Sequence, residues 1–339
     1  MRLISAQEIA LLLPMKRAIP LMRSAFRMIT DQQASCAPRQ AMQVDSGTSL
    51  VMGAAQDEQG IMVKLVSVMP SNPGKGLPGS IGLLLLMDPD TGEPLALMDG
   101  TSLTAIRTAA LNACAVDLLA RRESRVALLI GCGTQAAAQI SGLLAVRELE
   151  QVRVMSQSPE RAAAFVQLHR ERLDVDLISV AGSEAALDGV DIIVGATNSY
   201  EPIIPGRLVP AGCHVSGVGS FRREMCEFDA ELLLRASLFV ESRETASEEA
   251  GELIQLAETG VSRSQDWTEL GEVLSGVRPG RQQQDEITFF KSVGHAVFDL
   301  FAARYIWQSA EEQSLGTQWH PSLESSNNRN TTIFQVARR

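Results

Sequence analysis

The sequence predicts an α/β protein that combines a doubly wound parallel sheet with a discontinuous α+β domain. Short apolar strands alternate with helical segments after residue 125, whereas strand-like runs separated by turn residues precede that point. A chain of 339 residues is also long enough for two cores. We therefore expect the parallel-sheet domain to span residues 121–300 and the α+β domain to combine residues 1–120 with 301–339.

Composition and charge argue against several classes of protein. Hydrophobic residues make up 45% of the chain and charged residues 21%, which is ordinary for a soluble globular protein. No long uninterrupted apolar run predicts a transmembrane helix, and the N-terminus lacks the cleavage site of a secretory signal. The net charge of −10 and the scattered cations argue against a nucleic-acid partner. We expect a cytoplasmic protein without a membrane partner.

The cysteines and histidines predict neither a disulfide framework nor a metal site. The five cysteines are odd in number and show no CxxC spacing, and the four histidines are far apart in the chain. Reduced thiols are the better interpretation, and we expect no bound metal.

The first hundred residues change from helical to strand-like patterns. Residues 5–8 fit a capping box that begins a short helix, and Pro14 ends it and opens a second helix to about residue 31. Apolar runs from residue 49 onward read as strands, in SLVMGAA, IMVKLVSVM and GLLLLMD. The turn at residues 89–92 carries Pro and Gly where a hairpin needs them, and it should pair GLLLLMD with PLALMD.

A long helix is predicted over residues 103–121, and strands and helices alternate after it. The predicted strands are RVALLIG, QVRVMSQ, VDLISVA, VDIIVGAT, CHVSGVGS and SLFVES. Such alternation is typical of a parallel sheet with helices on both faces. A last helix is predicted over residues 288–307, and the polar tail at 325–332 suits solvation or a subunit contact.

The turn after the first of these strands matches the dinucleotide-binding fingerprint GxGxxA. Gly131 allows a tight turn, Gly133 lets the backbone approach a pyrophosphate, and Ala136 keeps the next helix close to the strand. The amides at that helix N-terminus favour an anion. A second strand follows at the spacing of a Rossmann unit. The turn residues expected to contact the dinucleotide are Gly131, Gly133, Thr134, Gln135 and Ala136.

The end of the second strand bears on the choice of coenzyme. An acidic residue there would bind the adenine ribose and repel a 2′-phosphate, but none is present. The polar residues at this tip are Ser156, Gln157, Ser158 and Arg161. Hydroxyls and a guanidinium can receive a phosphate, so the sequence favours NADP(H), with NAD(H) as the alternative. Arg161 is equally consistent with a solvated helix residue.

Three cations in the first half stand out by their surroundings. Arg39 lies near the first strand region, Lys64 interrupts an apolar strand, and Arg107 follows small residues in the long helix. A buried charge needs a partner, so either a carboxylate distant in sequence or an anionic ligand must balance each one. A structural ion pair explains any one of them. Together, beside a Rossmann unit, they predict a pocket for a carboxylate, which a guanidinium grips through two nitrogens.

Several segments resemble the ornithine cyclodeaminase/mu-crystallin family of NAD(P)-dependent enzymes, over about residues 1–310. The segments that carry the resemblance are VKLVSVMP, KGLPGSIGLLLLMDPDTGEPLALMDG, TAIRTAA, GCGTQA, ATNS, GVGS and DEITFFKSVGHAVFDL. The resemblance implies a homodimer. In it the N-terminal half and the last helix form a substrate and dimerisation domain, and the central Rossmann domain binds the coenzyme.

The resemblance also implies roles for individual residues. Arg39, Lys64 and Arg107 would hold the substrate carboxylate, with Lys64 near the reacting nitrogen and Lys64 and Arg107 as the catalytic pair. Thr108 would lie by the coenzyme phosphates. Lys291 and Ser292, on the final helix, would approach the nicotinamide, and Ser292 the substrate as well. The other residues expected on the nicotinamide side are Thr197, Asn198, Val218 and Gly219.

One departure from the family pattern concerns the substrate. Phe221 stands just after the GVG turn, where cyclodeaminases carry an Asp that contacts the substrate or assists proton transfer. A phenyl ring can neither take a proton nor pair with an ammonium group. Asp229 lies eight residues farther on and is a poor substitute. Members without this Asp resemble ketimine and Δ1-pyrroline-2-carboxylate reductases, so Phe221 would instead line the pocket for a preformed cyclic imine.

The sequence therefore favours NAD(P)H-dependent reduction of a cyclic 2-imino acid, Δ1-pyrroline-2-carboxylate or Δ1-piperideine-2-carboxylate, to proline or pipecolate. Arg39 and Arg107 would fix the carboxylate, and Lys64 or a held water would keep the imine nitrogen protonated. Three alternatives stay open: conversion of ornithine to proline and ammonia, reduction of an open-chain imino or keto acid, and non-enzymatic ligand binding as in mu-crystallins. The three cations favour catalysis over the last of these.

Overall fold

A computed structural model of the chain describes residues 1–319 and contains two sheets, which confirms the predicted α/β class. The elements of the first part are β1 (Arg2–Ile4), α1 (Ala6–Leu12), α2 (Met15–Thr30), β2 (Ser35–Val44), β3 (Gly47–Gln56), β4 (Gly60–Val68), β5 (Ser80–Met87), β6 (Pro94–Asp99) and α3 (Gly100–Leu119). The predicted role of residues 325–332 lies outside the described residues.

The remaining elements belong mostly to the second sheet and its helices. They are β7 (Val126–Ile130), α4 (Ala136–Leu144), β8 (Gln151–Met155), α5 (Pro159–His169), β9 (Asp176–Ser179), α6 (Ser183–Leu187), β10 (Ile192–Gly195), β11 (His214–Gly217), α7 (Ala230–Arg235), β12 (Ala236–Val240), α8 (Arg243–Glu249), α9 (Gly251–Glu258), β13 (Thr268–Glu269), α10 (Leu270–Leu274), β14 (Ile287–Lys291), α11 (Ala296–Gln313) and β15 (Thr317–Gln318).

The first sheet has the order β15-β1-β6-β5-β4-β3-β2, and β2 to β6 form an antiparallel meander. The predicted hairpin is confirmed, with Leu84 opposite Met98 across β5 and β6. The capping box of Ser5 and Glu8 is also confirmed at the start of α1. The edge strand β2 was not predicted, because its side chains are almost all exposed and give no apolar alternation.

The second sheet is parallel throughout and has the order β13-β12-β14-β11-β10-β7-β8-β9. This is the predicted doubly wound arrangement. The chain order reverses between β7 and β10, and ligands of such sheets bind in the crevice at the carboxyl ends of the strands at that point.

The prediction of a single helix over residues 288–307 is wrong at its start. Residues 287–291 form the strand β14, which lies between β11 and β12 and is buried along its whole length. A short apolar run of this kind carries no period that separates a strand from a helix. The helix α11 begins only at Ala296, after the N-cap His295. Lys291 and Ser292 therefore lie at and just beyond the carboxyl end of a central strand, not on the final helix.

Helix α3 connects the two sheets through the middle of the protein. It is the one helix within residues 1–319 that is long and apolar enough to cross a membrane, yet 67% of its most apolar segment is buried inside the protein. It packs on α2 and on the nucleotide-side helix α4, where a Cβ at Gly142 would lie 2.7 Å from the carbonyl oxygen of Ala109. Its length and composition therefore reflect a core helix.

Candidate active site

The glycine turn after β7 forms an open cradle at the carboxyl edge of the second sheet. Gly131 has φ +112, and a Cβ there would lie 2.5 Å from the carbonyl oxygen of Ala196, so the turn requires glycine. Gly133 is exposed, and apart from its chain neighbours no heavy atom of the described residues lies within 4 Å of where a Cβ would stand. In the same part of the chain no side chain caps the start of helix α4, which leaves its first amides available to an anion. The residues present therefore fit the pyrophosphate of a dinucleotide.

The polar residues at the tip of β8 lie beside this cradle. Burial raises the pKa of the Cys132 thiol, while a hydrogen bond with Ser156 and the charge of Arg161 oppose the rise. Ser156 and Arg161 thus both influence the second residue of the turn. Ser158 is partly engaged elsewhere, because its hydroxyl caps α5 and donates to Glu160 Oε2 at 2.6 Å. Gln157 is exposed.

A buried carboxylate that sequence reasoning missed holds the loops after β10 and β11 together. Glu227 accepts hydrogen bonds from the backbone N–H and the hydroxyl of Thr197 at 2.8 and 2.9 Å. Its other oxygen accepts from the amides of Gly219 and Ser220 at 2.9 and 3.1 Å. These loops carry four of the residues predicted on the nicotinamide side, namely Thr197, Asn198, Val218 and Gly219.

Lys291 is completely buried behind these loops. Its ammonium lies 2.9 Å from Glu252 Oε1 and 4.0 Å from Glu227 Oε2, and it donates to the hydroxyl of Ser220. Ser292, the next residue, donates to Glu241 Oε2 at 2.6 Å. The structure thus places both residues in internal polar networks at the end of β14, and direct contact with the coenzyme or substrate stays a prediction.

The three predicted cations meet at the boundary between the first sheet and α11. Lys64 points to the inner face of β4, and its Nζ donates to Asp299 Oδ1 at 2.7 Å. Arg107 on α3 donates to the same oxygen from Nε at 3.1 Å. Asp299 is the carboxylate that the sequence required but did not identify, since it lies 192 residues or more beyond its partners. The only sequence signal for it was its place in the segment DEITFFKSVGHAVFDL.

The surroundings of Lys64 lower its pKa towards neutral pH. Burial lowers the pKa of Lys64 to about 8, and the neighbouring charges of Arg107 and Arg39 add to the effect, while Asp299 opposes it. Burial alone would raise the pKa of Asp299, but Arg107 and Lys64 outweigh it and hold that pKa below its ordinary value. The cluster therefore pairs an ionised carboxylate with an ammonium that can release a proton near neutral pH.

The guanidinium groups of Arg39 and Arg107 flank a glycine segment before α11. Arg39 Nη2 donates to the carbonyl oxygens of Gly294 and Val293 at 2.8 and 3.3 Å. A Cβ at Gly294, where φ is +88, would lie 3.4 Å from Arg107 Nη2. Among the described residues 1–319, Arg107 hydrogen-bonds through Nε alone. Its two terminal nitrogens are therefore available to a ligand carboxylate.

Three further residues considered in the sequence have other surroundings. Phe221 is half-buried against the apolar core of the second sheet, with the Arg222 guanidinium 5.6 Å from its ring centroid. Asp229 caps α7 through the Leu232 amide at 2.9 Å, which gives it a structural role. Thr108 is buried on α3 directly after Arg107, and its contact with coenzyme phosphates stays a prediction.

Comparison with known proteins places this geometry in a family. The model of the ornithine cyclodeaminase/mu-crystallin family matches residues 2–314. A Δ1-pyrroline-2-carboxylate reductase of Bacillus cereus is 35% identical over 321 residues, which cover 93% of this chain and 98% of that protein.

Two solved structures are similar over almost the whole chain. The Δ1-pyrroline-2-carboxylate reductase of Thermococcus litoralis, in complex with NADH and L-proline, has a TM-score of 0.90 and 34% identity, covering 94% of this chain and 100% of that one. An archaeal alanine dehydrogenase dimer with bound NAD has a TM-score of 0.87 and 31% identity, covering 94% of this chain and 99% of that one.

Proposed function

Because the chain belongs to the ornithine cyclodeaminase/mu-crystallin family, we propose that it reduces the C=N bond of a cyclic 2-imino acid with NADPH or NADH. The substrates would be Δ1-pyrroline-2-carboxylate and Δ1-piperideine-2-carboxylate, and the products proline and pipecolate. The observation that carries the proposal is the meeting of three cations at α11, where Lys64 and Arg107 contact Asp299 and Arg39 binds the glycine segment before the helix. The reductase from Thermococcus litoralis, which was solved with NADH and L-proline, supports the substrate class.

The two arginines bind and orient the substrate. Arg107 offers its terminal nitrogens. Arg39 offers a buried Nε–H, from which no described residue accepts a hydrogen bond. Two guanidinium groups on one carboxylate fix the position of the adjacent imine carbon. A bound nicotinamide coenzyme supplies the hydride to that carbon.

Lys64 holds the proton that the reaction needs. Its ammonium donates to the imine nitrogen, which makes the imine a better hydride acceptor. A pKa of about 8 leaves Lys64 mostly protonated at neutral pH yet able to give the proton up. Asp299 contacts both Lys64 and Arg107 through the same oxygen. It therefore fixes the position of the proton donor relative to the guanidinium that binds the substrate carboxylate.

The coenzyme preference we propose is NADP(H). Ser156 and Arg161 both lower the pKa of Cys132 in the turn against the effect of burial, and the end of β8 carries no carboxylate. The similar structures contain NADH or NAD, so either coenzyme suits the fold. We expect kcat/KM to be higher with NADPH than with NADH. Arg161→Ala should lower this ratio, and Arg172→Ala should leave it unchanged. A ratio below one in the unmodified protein would show a preference for NADH.

Reduction of an open-chain imino acid is the second candidate, because the archaeal alanine dehydrogenase is nearly as similar in structure. Ornithine cyclodeamination is less well supported, since Phe221 cannot take a proton. One assay separates the candidates: oxidation of NADPH and NADH with five- and six-membered cyclic imines, with pyruvate plus ammonia, and reduction of NAD with ornithine. Turnover of the cyclic imines at the highest kcat/KM is expected. Activity with pyruvate and ammonia alone would overturn the proposal.

The protein is proposed to act as a homodimer through the outer face of the first sheet. On this face Val63, Leu65, Ile81 and Leu83 alternate with buried residues and are between 38% and 50% exposed. A contiguous apolar patch on a sheet face favours a partner. We also propose that this sheet, with residues 1–120 and 301–339, forms the substrate and dimerisation domain and that residues 121–300 form the coenzyme domain. Light scattering of Leu65→Lys should show a monomer where the unmodified protein is a dimer.

A further inference from the structure

An ion pair joins the edge strand of the first sheet to a helix of the second half. Arg39, at the bulge of β2, lies with Nη2 3.2 Å from Glu249 Oε2 at the end of α8. The two side chains are 16% and 23% exposed. Glu249 therefore lies against one of the two guanidinium groups that the proposed function assigns to the substrate carboxylate.

This pair is poorly made by the standards of an arginine–carboxylate contact. Arg39 Nε is buried and has no hydrogen-bond partner among the described residues, and Glu249 Oε2 makes no hydrogen bond either. Backbone carbonyls of Val293 and Gly294 anchor the guanidinium instead. A guanidinium binds a carboxylate best through two parallel N–H donors. A substrate carboxylate could therefore form a better contact with Arg39 than Glu249 does.

The groups around Glu249 favour protonation of its carboxylate, and a protonated Glu249 would hold Arg39 less strongly when an anion binds. Burial raises the pKa of Glu249 to about 7, Glu241 and Glu248 add to the rise, and Arg39 opposes it. Glu241 lies at the end of β12 and Glu248 on α8 itself, while Arg39 comes from β2. A substrate carboxylate bound to Arg39 would add another negative charge near Glu249 and raise its pKa further.

Other charged and titratable groups influence the same region. The charge of Arg107 opposes the rise that burial causes in the pKa of Glu241, and the charges of Arg107 and Arg39 lower the pKa of His295. Burial lowers the pKa of His295 to about 4, so its ring is neutral near pH 7. Glu249 and Lys64, with pKa values of about 7 and about 8, are therefore the groups that can take up a proton when a carboxylate binds.

We propose that Glu249 determines substrate affinity by competing, as an internal carboxylate, with the substrate carboxylate for Arg39. Its proton uptake then accompanies binding of the substrate. This inference rests on the proposed function only in assigning Arg39 to a carboxylate ligand. Below about pH 6 Glu249 is neutral and does not compete, and above about pH 8 it is ionised and weakens binding.

Calorimetry with pyrrole-2-carboxylate tests the proposal, because this planar carboxylate carries no other group that titrates near pH 7. The protein is saturated with NADPH, and the Kd is measured at about pH 6 and about pH 8.5 in buffers of different ionisation enthalpy. We expect proton uptake on binding at the higher pH, to which Lys64, with a pKa of about 8, also contributes. We also expect a Kd about tenfold weaker there than at the lower pH.

Two substitutions on α8 separate competition from a general charge effect. Glu249→Gln should reduce the proton uptake, leaving the part due to Lys64, and should bind the probe about tenfold more tightly than the unmodified protein at the higher pH, with little difference at the lower pH. Glu244→Gln removes the same charge from an exposed position of the helix and should leave both values unchanged. Glu249→Asp, which shortens the side chain, should give a Kd between those of Glu249→Gln and the unmodified protein.

Equal pH dependence of Kd in the unmodified protein and Glu249→Gln, or equal proton uptake in the two, would overturn the proposal. The imine reductase assay distinguishes this failure from that of the proposed function. Reduction of cyclic imines without a Glu249 effect contradicts only the competition. A Glu249-dependent Kd without imine reduction contradicts only the proposed reaction.

Discussion

Two buried lysines near the active site have opposite charge surroundings. Lys64 shares one carboxylate, Asp299, with Arg107, so cations outnumber anions. Lys291 lies between Glu252 and Glu227, so anions outnumber cations. Within residues 1–319, the terminal nitrogens of Arg107 in the first group donate to no protein acceptor, whereas the carboxylates of the second group accept from backbone amides and hydroxyls. The free donors of the Lys64 group therefore indicate a binding site for an anion. The Lys291 group, whose carboxylates are already hydrogen-bonded within the protein, indicates a structural role.

Loss of the Lys64 ammonium should have the largest effect on catalysis. Lys64→Met keeps the volume of the side chain and removes the proton donor, so we expect kcat to fall by about 10²–10⁴-fold. Asp299 keeps Arg107 as a partner, so the fold should survive. Steady-state kinetics with a cyclic imine measures the effect, and an unchanged Kd for NADPH is the control. A kcat within threefold of the unmodified value would remove Lys64 from the chemistry.

Loss of the Lys291 ammonium should instead damage stability. Lys291→Met leaves Glu252 and Glu227 buried without their cation. We expect the free energy of unfolding to fall by about 3–5 kcal/mol, as for other broken buried ion pairs. Urea unfolding of this variant beside Lys64→Met gives the direct comparison. Equal destabilisation of the two variants would contradict the distinction between binding site and scaffold.

Arg107→Ala should lower kcat/KM by about 10–150-fold, since a charge-assisted contact contributes about 1.5–3 kcal/mol. Arg107→Lys should restore little of it, because an ammonium cannot replace the two-nitrogen contact. The matched control is Arg121→Ala, which breaks an ion pair with Asp191 away from the pocket. Full activity of Arg107→Ala on a cyclic imine would show that this arginine does not bind the carboxylate.

The pH profile gives the smallest and most specific effect. The lowered pKa of about 8 means that Lys64 is protonated below that pH and loses its proton above it. We therefore expect kcat to be level near neutral pH and to fall about tenfold per pH unit above about 8. Lys64→Arg, whose guanidinium does not titrate in this range, should lose activity at all pH values and show no such fall. A fall of the same shape in that variant would assign the titration to another group.

The sequence predicted those parts of the site that depend on residues close together in the chain. The turn at 131–136 and the hairpin after Met87 follow from short spacings, and their geometry is as predicted. The partners of the buried cations could not be predicted, because Asp299 lies 235 residues from Lys64 and only the folded chain brings them together. The strand at 287–291 was read as a helix since a buried run of apolar residues has no period of its own.

The carboxylate of Glu227 has a consequence for how the coenzyme pocket forms. Because it holds the amides of Thr197, Gly219 and Ser220 within one protein network, the loops after β10 and β11 are ordered before any ligand arrives. Binding then needs little loss of loop entropy, which preserves affinity. These three amides should exchange slowly with deuterium in the ligand-free protein, and Glu227→Gln should speed the exchange of those at Gly219 and Ser220. The two loops that Glu227 joins would thus exchange as slowly as residues of the core.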